Sequence, residues 1–295
     1  MSGRTPELVS VIVPAYNARH VIDEQLEALA NQDYAGPFEV VVGDNGSTDG
    51  LHEHLEAHLL RDRLHLRCVP APEVRGASHA RNAAVAAAAG DLLAFCDADD
   101  RAHPGWLSAL VEAASQYDMV SGALENMSLN SQEVADRMLM QPPEQGFAFP
   151  GFLPFANGCS CAVWRDAYDR AGGWDESYTF AGEDVEFSWR VQLVGGTFGH
   201  APRALMAYRV RTAYRELWNH SARYGEADPR LFKQYRSRGF TRNVFAFPVL
   251  FTLLLLRNPL LPRALTRLST GQWLIYAGRM VGRVRGSIRY RVYFL

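Results

Sequence analysis

The first two-thirds of the chain alternates short apolar runs with stretches of helical periodicity. Strand-like apolar runs occupy residues 8–14, 39–43, 64–69, 91–96 and 119–123. Helical stretches occupy residues 20–32, 77–89, 104–117, 165–171 and 185–194. This alternation predicts an α/β fold with a doubly wound, mainly parallel sheet. Residues 197–210 predict one or two further strands, whereas residues 126–155 lack periodicity and indicate a loop or lid.

Carboxylates follow directly after two of the predicted strands. Asp44 ends the second apolar run, and Asp97, Asp99 and Asp100 follow the fourth. Ligands of open α/β sheets bind at the carboxyl ends of the strands, where carboxylates suit a hard divalent cation that holds a phosphate. Alternate residues of an extended segment point the same way, so Asp97 and Asp99 share a face. Their repulsion favours a cation or ribose hydroxyls between them.

Composition indicates an ordinary folded protein of one large or two small domains, with 295 residues of which 48% are hydrophobic. The polar segment 2–7 lacks the regions of a signal peptide. Four cysteines show no zinc spacing, and a metal or redox role for Cys159 and Cys161 is the less favoured alternative. We therefore expect a reduced, cytoplasmic protein.

Charge divides the chain into two regions. Residues 1–228 contain all 32 acidic residues and 17 basic ones, whereas residues 229–295 contain 13 basic residues and no acid, giving formal charges of −15 and +13. The apolar stretch 245–256 is shorter than the roughly 20 residues of a membrane span.

The basic region, 216–295, is predicted to be helical and has two interpretations. The favoured one is contact with an anionic membrane, on its inner face, because arginines lie among aromatic residues. The alternative is a helical cap whose arginines pair with the acidic body. Nucleic acid is not an expected partner. The arginines concerned are Arg279, Arg283, Arg285, Arg289 and Arg291.

Four segments in order resemble glycosyltransferase family 2, the inverting nucleotide-sugar enzymes with a GT-A fold. They are VSVIVPAYN, VVVGDNGSTDG, RGASHARNAAVAAAAGDLLAFCDADD and GGWDESYTFAGEDVEFSWRVQLVGG. The resemblance covers roughly residues 8–211. It implies a GT-A catalytic domain at 1–215, with a nucleotide-sugar half at about 1–100 and an acceptor half at 101–215.

The resemblance also implies roles for individual residues. Asp184 is expected to be the general base, with Glu183 and Trp174 on the acceptor side. Asp97 and Asp99 are expected to hold Mn²⁺ or Mg²⁺. The expected nucleotide-sugar-binding residues are Pro14, Ala15, Tyr16, Asn17, Asp44, Arg81, Asp97 and Ala98, with Arg75 as a weaker candidate. The donor would be UDP-, GDP- or dTDP-linked, and the acceptor a glycan, a lipid-linked molecule or a small molecule.

Several of these residues have an ordinary structural alternative. Asp44 and Asp49 are typical turn residues, and Asp184 is placed to cap a helix. An indole such as that of Trp174 more commonly lies in a core. Arg81 is otherwise a solvated surface arginine.

One segment departs from the family. Many relatives have a histidine after the last strand, whereas this chain reads Ala-Tyr-Arg-Val-Arg at 207–211. A third protein ligand to the metal is therefore open, and Arg209 or Arg211 is a candidate for contact with phosphate instead. A nucleotidyltransferase is an alternative function, although the glycine-rich loop it needs near the first strand is absent from PAYNARH. A non-catalytic, membrane-docked scaffold is another, and the intact Asp97, Asp99 and Asp184 argue against it.

Overall fold

A computed structural model describes residues 3–242, 252 and 268–294 of the chain. Apart from Thr252, the apolar stretch 245–256 lies outside these residues, so its predicted failure to span a membrane is untested there. Within the described part, no helix combines the length and the apolar character needed to cross a membrane.

The predicted alternation of strands and helices is confirmed. The strands are β1 (Val9–Ala15), β2 (Phe38–Asp44), β3 (Arg67–Pro70), β4 (Leu92–Cys96), β5 (Arg101–Ala102), β6 (Met119–Glu125), β7 (Phe147–Ala148), β8 (Pro154–Phe155), β9 (Ser160–Trp164) and β10 (Phe198–Ala207). The helices are α1 (Ile22–Ala30), α2 (Leu51–Glu56), α3 (Ala77–Ala87), α4 (Trp106–Ala114), α5 (Gln132–Ala135), α6 (Arg165–Ala171), α7 (Glu183–Leu193), α8 (Tyr214–Tyr235) and α9 (Thr270–Arg289).

Eight strands form one mixed sheet in the order β3-β2-β1-β4-β9-β6-β10-β5. The pairs β1–β2, β1–β4, β2–β3 and β6–β10 are parallel. Strand β9 is antiparallel to both of its neighbours, and β5 is antiparallel to β10. The sheet is therefore mostly parallel, as predicted.

Two details of the prediction differ from the structure. Strand β9 was not predicted, because its five buried residues, Ser-Cys-Ala-Val-Trp, include small side chains that give no clear strand pattern. The stretch 126–155, predicted as a loop, contains the short elements α5, β7 and β8 within otherwise irregular chain.

The sheet brings the carboxyl ends of β1, β2 and β4 to one edge. Ala15, the last residue of β1, lies opposite Asp44, the last residue of β2. Strand β4 ends at Cys96, one residue before Asp97. Helix α3 packs close beneath this edge, since a Cβ on Gly43 would lie 2.2 Å from the carbonyl oxygen of Ala80. The register therefore places the predicted nucleotide and metal residues side by side.

Helices α8 and α9 lie side by side and run in the same direction. Gly278, Gly282 and Gly286 of α9 face successive turns of α8, near Ser221, Ala222 and Glu226. A Cβ on Gly282 would lie 2.0 Å from the carbonyl oxygen of Ala222. The missing side chains therefore let the two backbones touch, which fixes α9 on α8.

Ion pairs strengthen this contact. Asp228 of α8 is 2% exposed. Its carboxylate accepts two hydrogen bonds of 3.1 Å from Arg279 and one of 2.7 Å from Arg283. Arg289 donates to Glu226 at 2.6 Å. These three arginines pair with acidic residues of α8, which lies mostly within the C-terminal region 216–295, so both the pairing of that region with the catalytic domain and its contact with a membrane stay predictions.

Candidate active site

Carboxylates near the sheet edge line one cavity of about 240 Å³. Asp97 and Asp99 reach it from the segment after β4, and Glu183 and Asp184 reach it from the start of α7. The opposite wall comes from the C-terminal helices. That wall includes Leu217, His220, Ser221 and Tyr224 of α8, and Ile275 and Arg279 of α9.

Arg81 links the two pairs of carboxylates. This α3 residue is 2% exposed, and its guanidinium donates to Asp97 at 3.0 Å and to Glu183 at 3.4 Å. Burial alone would lower the pKa of Arg81, but the charges of Asp97 and Glu183 raise it, so the guanidinium stays charged. Arg81 is thus a buried part of the site and not the solvated surface arginine of the alternative interpretation.

Burial raises the pKa of both acids at the start of α7. Burial raises the pKa of Glu183 to about 7, and repulsion from Asp184 adds to the shift while Arg81 opposes it. Burial also raises the pKa of Asp184, although a backbone N–H bond from Val185 and the charge of Arg81 oppose it. Asp184 accepts from Val185 at 2.8 Å and from the Gly158 N–H at 3.4 Å. Both groups are therefore stronger proton acceptors than solvated carboxylates.

Asp184 does not occupy the cap position of its helix. Gly182 is the N-cap of α7, with φ at 83°, and Asp184 is the second helical residue. Its carboxylate is 7% exposed and lines the cavity. The carboxylate therefore does two things, since it binds the N–H of Val185 in the first turn of α7 and lines the cavity.

The acids after β4 have different partners. The Asp99 carboxylate accepts a hydrogen bond of 2.6 Å from Arg211. The Asp100 carboxylate is 1% exposed and accepts a hydrogen bond of 2.9 Å from the Arg209 N–H. Burial, with repulsion from Asp99 and Asp97, raises the pKa of Asp100 well above its usual range. Burial likewise raises the pKa of Asp97, with repulsion from Asp99 opposed by Arg81.

Two carboxylates of the donor set at this edge suit a hard divalent cation, whereas the thiol that accompanies them is a soft ligand. Ligand atoms of Asp97, Asp100 and Cys159 lie within 4.8 Å of one another. The buried Oδ2 of Asp100 has no hydrogen-bonding partner among the described residues. Carboxylate oxygens are the ligands that Mg²⁺ and Mn²⁺ prefer. The predicted partner of Asp97 was Asp99, and in the structure Asp99 pairs with Arg211 instead.

The predicted nucleotide residues other than Arg81 and Asp97 do not line this cavity. Pro14 and Ala15 end β1, and the Tyr16 side chain beyond them is 53% exposed. Asn17, at φ 50°, accepts from the Thr48 N–H at 2.8 Å and joins the turn after β1 to the turn after β2.

Two of the acids predicted as turn residues act in turns. Asp44 is buried and accepts from the Ser47 N–H at 2.8 Å. Asp49 accepts from the Leu51 N–H at 3.2 Å. Ala98 is also buried. Nucleotide contact by Asp44 and Ala98 therefore stays a prediction.

Trp174 lies in the core, not in the cavity wall. It is 2% exposed and stacks on Phe187 with ring centroids 4.5 Å apart. The Arg81 guanidinium also lies over the Trp174 ring, 4.6 Å from the ring centroid. Direct stacking of Trp174 on an acceptor sugar is therefore not supported by its position, and the indole instead supports Arg81.

Sequence reasoning missed two amides that hold the site loops, Gln25, which is buried, and Asn45, which is half-buried. The Gln25 side chain donates to the Asp97 carbonyl at 3.1 Å and accepts from the Ala102 N–H at 2.9 Å. The Asn45 side chain donates to the carbonyls of Ala71 and Val74 and accepts from the Gly76 N–H. The signal for Gln25 was a polar residue on the apolar face of a predicted helix.

Sequence reasoning also missed His220, which was too far along the chain to assign. It lines the cavity with Asp99 and Arg211. Burial and the nearby charge of Arg211 lower the pKa of His220 to about 4. Its imidazole is therefore neutral at neutral pH. No local signal could have found it, because it enters the site through the packing of α8.

Solved structures identify the fold. The mannosyltransferase PcManGT from Pyrobaculum calidifontis, solved with GDP-Man and Mn²⁺, matches 97% of this chain and 76% of its own at a TM-score of 0.59 and 23% identity. TarS residues 1–349 from S. aureus match 97% of this chain and 93% of that one at a TM-score of 0.54 and 21% identity. The chain therefore has the GT-A glycosyltransferase fold.

Sequence comparison identifies the family. The model of glycosyl transferase family 2 matches residues 10–172, and that of glycosyl transferase family group 2 matches residues 92–277. The chain belongs to glycosyl transferase family 2.

Curated relatives match parts of the chain. Glycosyltransferase AglE of Haloferax volcanii is 35% identical over 136 residues, 45% of this chain and 44% of AglE. Validoxylamine A glucosyltransferase of Streptomyces hygroscopicus subsp. jinggangensis is 31% identical over 231 residues, 66% of this chain and 54% of that enzyme. The chain thus spans about half the length of these relatives.

Proposed function

We propose that the protein is an inverting glycosyltransferase that moves a sugar from a nucleotide-diphosphate sugar to an acceptor hydroxyl. The observation that carries the proposal is that Asp184 and Asp99 line one cavity, although they come from α7 and from the segment after β4. A proton acceptor and a phosphate-holding carboxylate are the two groups that this reaction needs close together.

Asp184 is the general base in this proposal. Its raised pKa suits a carboxylate that takes the proton of the acceptor hydroxyl. As the proton leaves, the acceptor oxygen bonds to the anomeric carbon from the face opposite the diphosphate. The bond between that carbon and the diphosphate oxygen breaks, and the nucleoside diphosphate departs with the electron pair. A single displacement of this kind inverts the anomeric configuration.

Asp97 and Asp99, with Asp100 beside them, are the residues that would hold Mn²⁺ or Mg²⁺. Such a cation, when bound, neutralises the diphosphate that leaves. Arg81 keeps Asp97 and Glu183 in place through its two ion pairs.

The comparisons support the donor class. PcManGT was solved with GDP-Man and Mn²⁺, and TarS with UDP and with UDP-GlcNAc. We infer a UDP-, GDP- or dTDP-linked donor for this chain, bound by the β1 and β2 turns in the half at about 1–100. Membership of the family favours sugar transfer over the nucleotidyltransferase alternative.

The acceptor half, 101–215, and the helices of 216–295 form the rest of the cavity in this proposal. The wall there includes four aliphatic or thioether side chains, those of Leu124, Met138, Leu217 and Ile275. A glycan, a lipid-linked molecule and a small molecule are the acceptor classes that we consider.

A thermal-shift panel tests the donor and metal parts of this function together. The protein is heated with UDP, GDP or dTDP, each with and without Mn²⁺. One nucleotide at about 100 times its Kd should stabilise the fold by about 2.7 kcal/mol, and more with Mn²⁺ than without it. Asp99→Ala should lose the Mn²⁺-dependent part. No stabilisation by any of the three, with or without Mn²⁺, would contradict the proposal.

A further inference from the structure

The two arginines after β10 are held in different ways. The Arg209 N–H bonds the Asp100 carboxylate, its Nε donates to the Asp99 carbonyl at 2.7 Å, and its guanidinium also pairs with Glu24. Two side-chain contacts and one backbone contact fix this residue. Arg209 is therefore part of the scaffold that shapes the segment after β4.

The Arg211 side chain has a simpler environment. Its guanidinium donates to the Oδ2 of Asp99 at 2.6 Å, its sole hydrogen-bonding partner among the described residues. Both side chains line the cavity, with Arg211 38% and Asp99 31% exposed. Both partners are thus half-buried but line the cavity, so an anion with more charge than one carboxylate can compete for the guanidinium.

The backbone around Arg211 is anchored, which limits any movement to the side chain. Asn130 accepts from the Val210 N–H at 3.0 Å and donates to the Tyr208 carbonyl at 2.8 Å. Arg137 bonds the Thr212 carbonyl on the other side. Arg211 thus has a long, cationic side chain on a backbone that is held in place at the cavity wall.

We infer that the Arg211 guanidinium leaves Asp99 and binds the donor diphosphate when the cation and the donor bind. Paired with Asp99, the guanidinium occupies a carboxylate that the proposed metal site needs. A diphosphate offers a fork-shaped cation more negative charge and more acceptor oxygens than one carboxylate does. Arg211 should therefore oppose binding of the cation alone and favour binding of the cation together with a nucleoside diphosphate.

This inference rests on the proposed function and predicts effects of opposite sign from one substitution. Arg211→Gln removes the competitor for Asp99, so Mn²⁺ alone should bind about threefold to tenfold more tightly. The same variant loses a charge-assisted contact to phosphate, so UDP or GDP in saturating Mn²⁺ should bind about tenfold more weakly. A residue with a merely structural role would weaken both or neither.

The experiment is a titration of free Mn²⁺ by electron paramagnetic resonance, followed by calorimetry with UDP, GDP and dTDP in saturating Mn²⁺. Arg203→Gln is the matched control, because Arg203 lies on β10 in an exposed pair with Glu112 and should change neither affinity. Arg211→Lys keeps the charge but loses the planar fork. It should leave Mn²⁺ affinity near that of the wild type and weaken nucleotide binding less than Gln does.

Two results would overturn the inference: unchanged or weaker binding of Mn²⁺ alone to Arg211→Gln, or unchanged nucleotide binding to that variant. Failure of the proposed function looks different, since none of the three nucleotides would then bind the wild type. In that case the Mn²⁺ titration still reports competition for Asp99. A circular dichroism melt identifies loss of fold in Arg211→Gln, and the lysine variant then carries the test.

Discussion

Two groups of paired arginines and carboxylates in this protein differ in how completely they are hydrogen-bonded. Between α8 and α9, both oxygens of Asp228 accept hydrogen bonds from Arg279 and Arg283. At the cavity, Arg81 reaches Asp97 and Glu183, yet the Nε of Arg81 and the Oε2 of Glu183 have no hydrogen-bonding partner among the described residues. Similar side chains thus use both carboxylate oxygens in hydrogen bonds between α8 and α9, whereas at the cavity some of their polar atoms have no hydrogen-bonding partner among the described residues.

The difference separates a structural role from a chemical one. A paired buried charge holds two helices in register, and removal of one partner leaves the other uncompensated. An unpaired buried carboxylate has a raised pKa and free lone pairs, which suit it to bind or to take a proton. The same change, aspartate to asparagine, should therefore have opposite consequences in the two groups.

The largest expected effect is on the rate of Asp184→Asn. Asparagine keeps the shape but cannot accept the proton, so the transfer rate should fall by about 10²–10⁴. Stability should hold or rise, because a neutral amide replaces a buried carboxylate whose pKa is raised. Release of nucleoside diphosphate measures the rate, and calorimetry measures donor affinity. Lost donor affinity with an intact saturated rate would make Asp184 a binding residue instead.

Asp228→Asn should show the reverse pattern. The free energy of unfolding should fall by about 2–4 kcal/mol, because two arginines lose their carboxylate in a buried contact. Urea unfolding measures this change against Asp184→Asn as the matched substitution.

A joint Arg279→Gln and Arg283→Gln variant separates the two interpretations of the basic region. The helical-cap interpretation predicts lost stability and unaltered sedimentation with anionic vesicles. Unaltered stability with lost vesicle binding would support the membrane interpretation, and salt should weaken that binding.

Gly282→Ala tests the helix contact without altering a charge. The added Cβ would lie 2.0 Å from a backbone oxygen and 2.8 Å from a backbone nitrogen of α8, so the helices must separate. We expect a loss of about 1–3 kcal/mol, against the gain in helix propensity that alanine otherwise brings. Val284→Ala, at an exposed position of the same helix, is the control. A Tm for Gly282→Ala at or above that of the control would show that the contact is loose.

The last expected effect appears only as the pH rises, in the stability of Glu183→Gln. The pKa of Glu183 is raised to about 7 in the folded state, so the protonated form favours folding. Wild-type stability from this group is complete below its unfolded pKa, near 4.5, and is lost as the pH rises through about 7. Glutamine is neutral throughout, so the variant should match the wild type at pH 4 and exceed it by roughly 1–3 kcal/mol at pH 8. A constant difference across this range would refute the raised pKa.

Much of the fold was predictable because its signals are local. Apolar runs and helical spacing located β1, β2, β4 and β6, while β9 gave too little pattern. The acids at the strand ends were predictable for the same reason, since Asp97, Asp99 and Asp100 directly follow a strand in the sequence. The cavity wall formed by α8 and α9 was not predictable, because His220 and Ile275 reach the cavity only through helix packing.

The sequence by itself determined the order of the strands and helices, the family and the carboxylates at the sheet edge, since each depends on neighbouring residues. Tertiary structure alone decided which of those carboxylates are paired. Arg211 and Asp99 are 112 positions apart, and Arg81 and Glu183 are 102 apart. Burial and charge pairing depend on contacts across such distances, and these contacts set each pKa. The fold therefore separates Asp184, which lines the cavity, from Asp228, which is paired with two arginines.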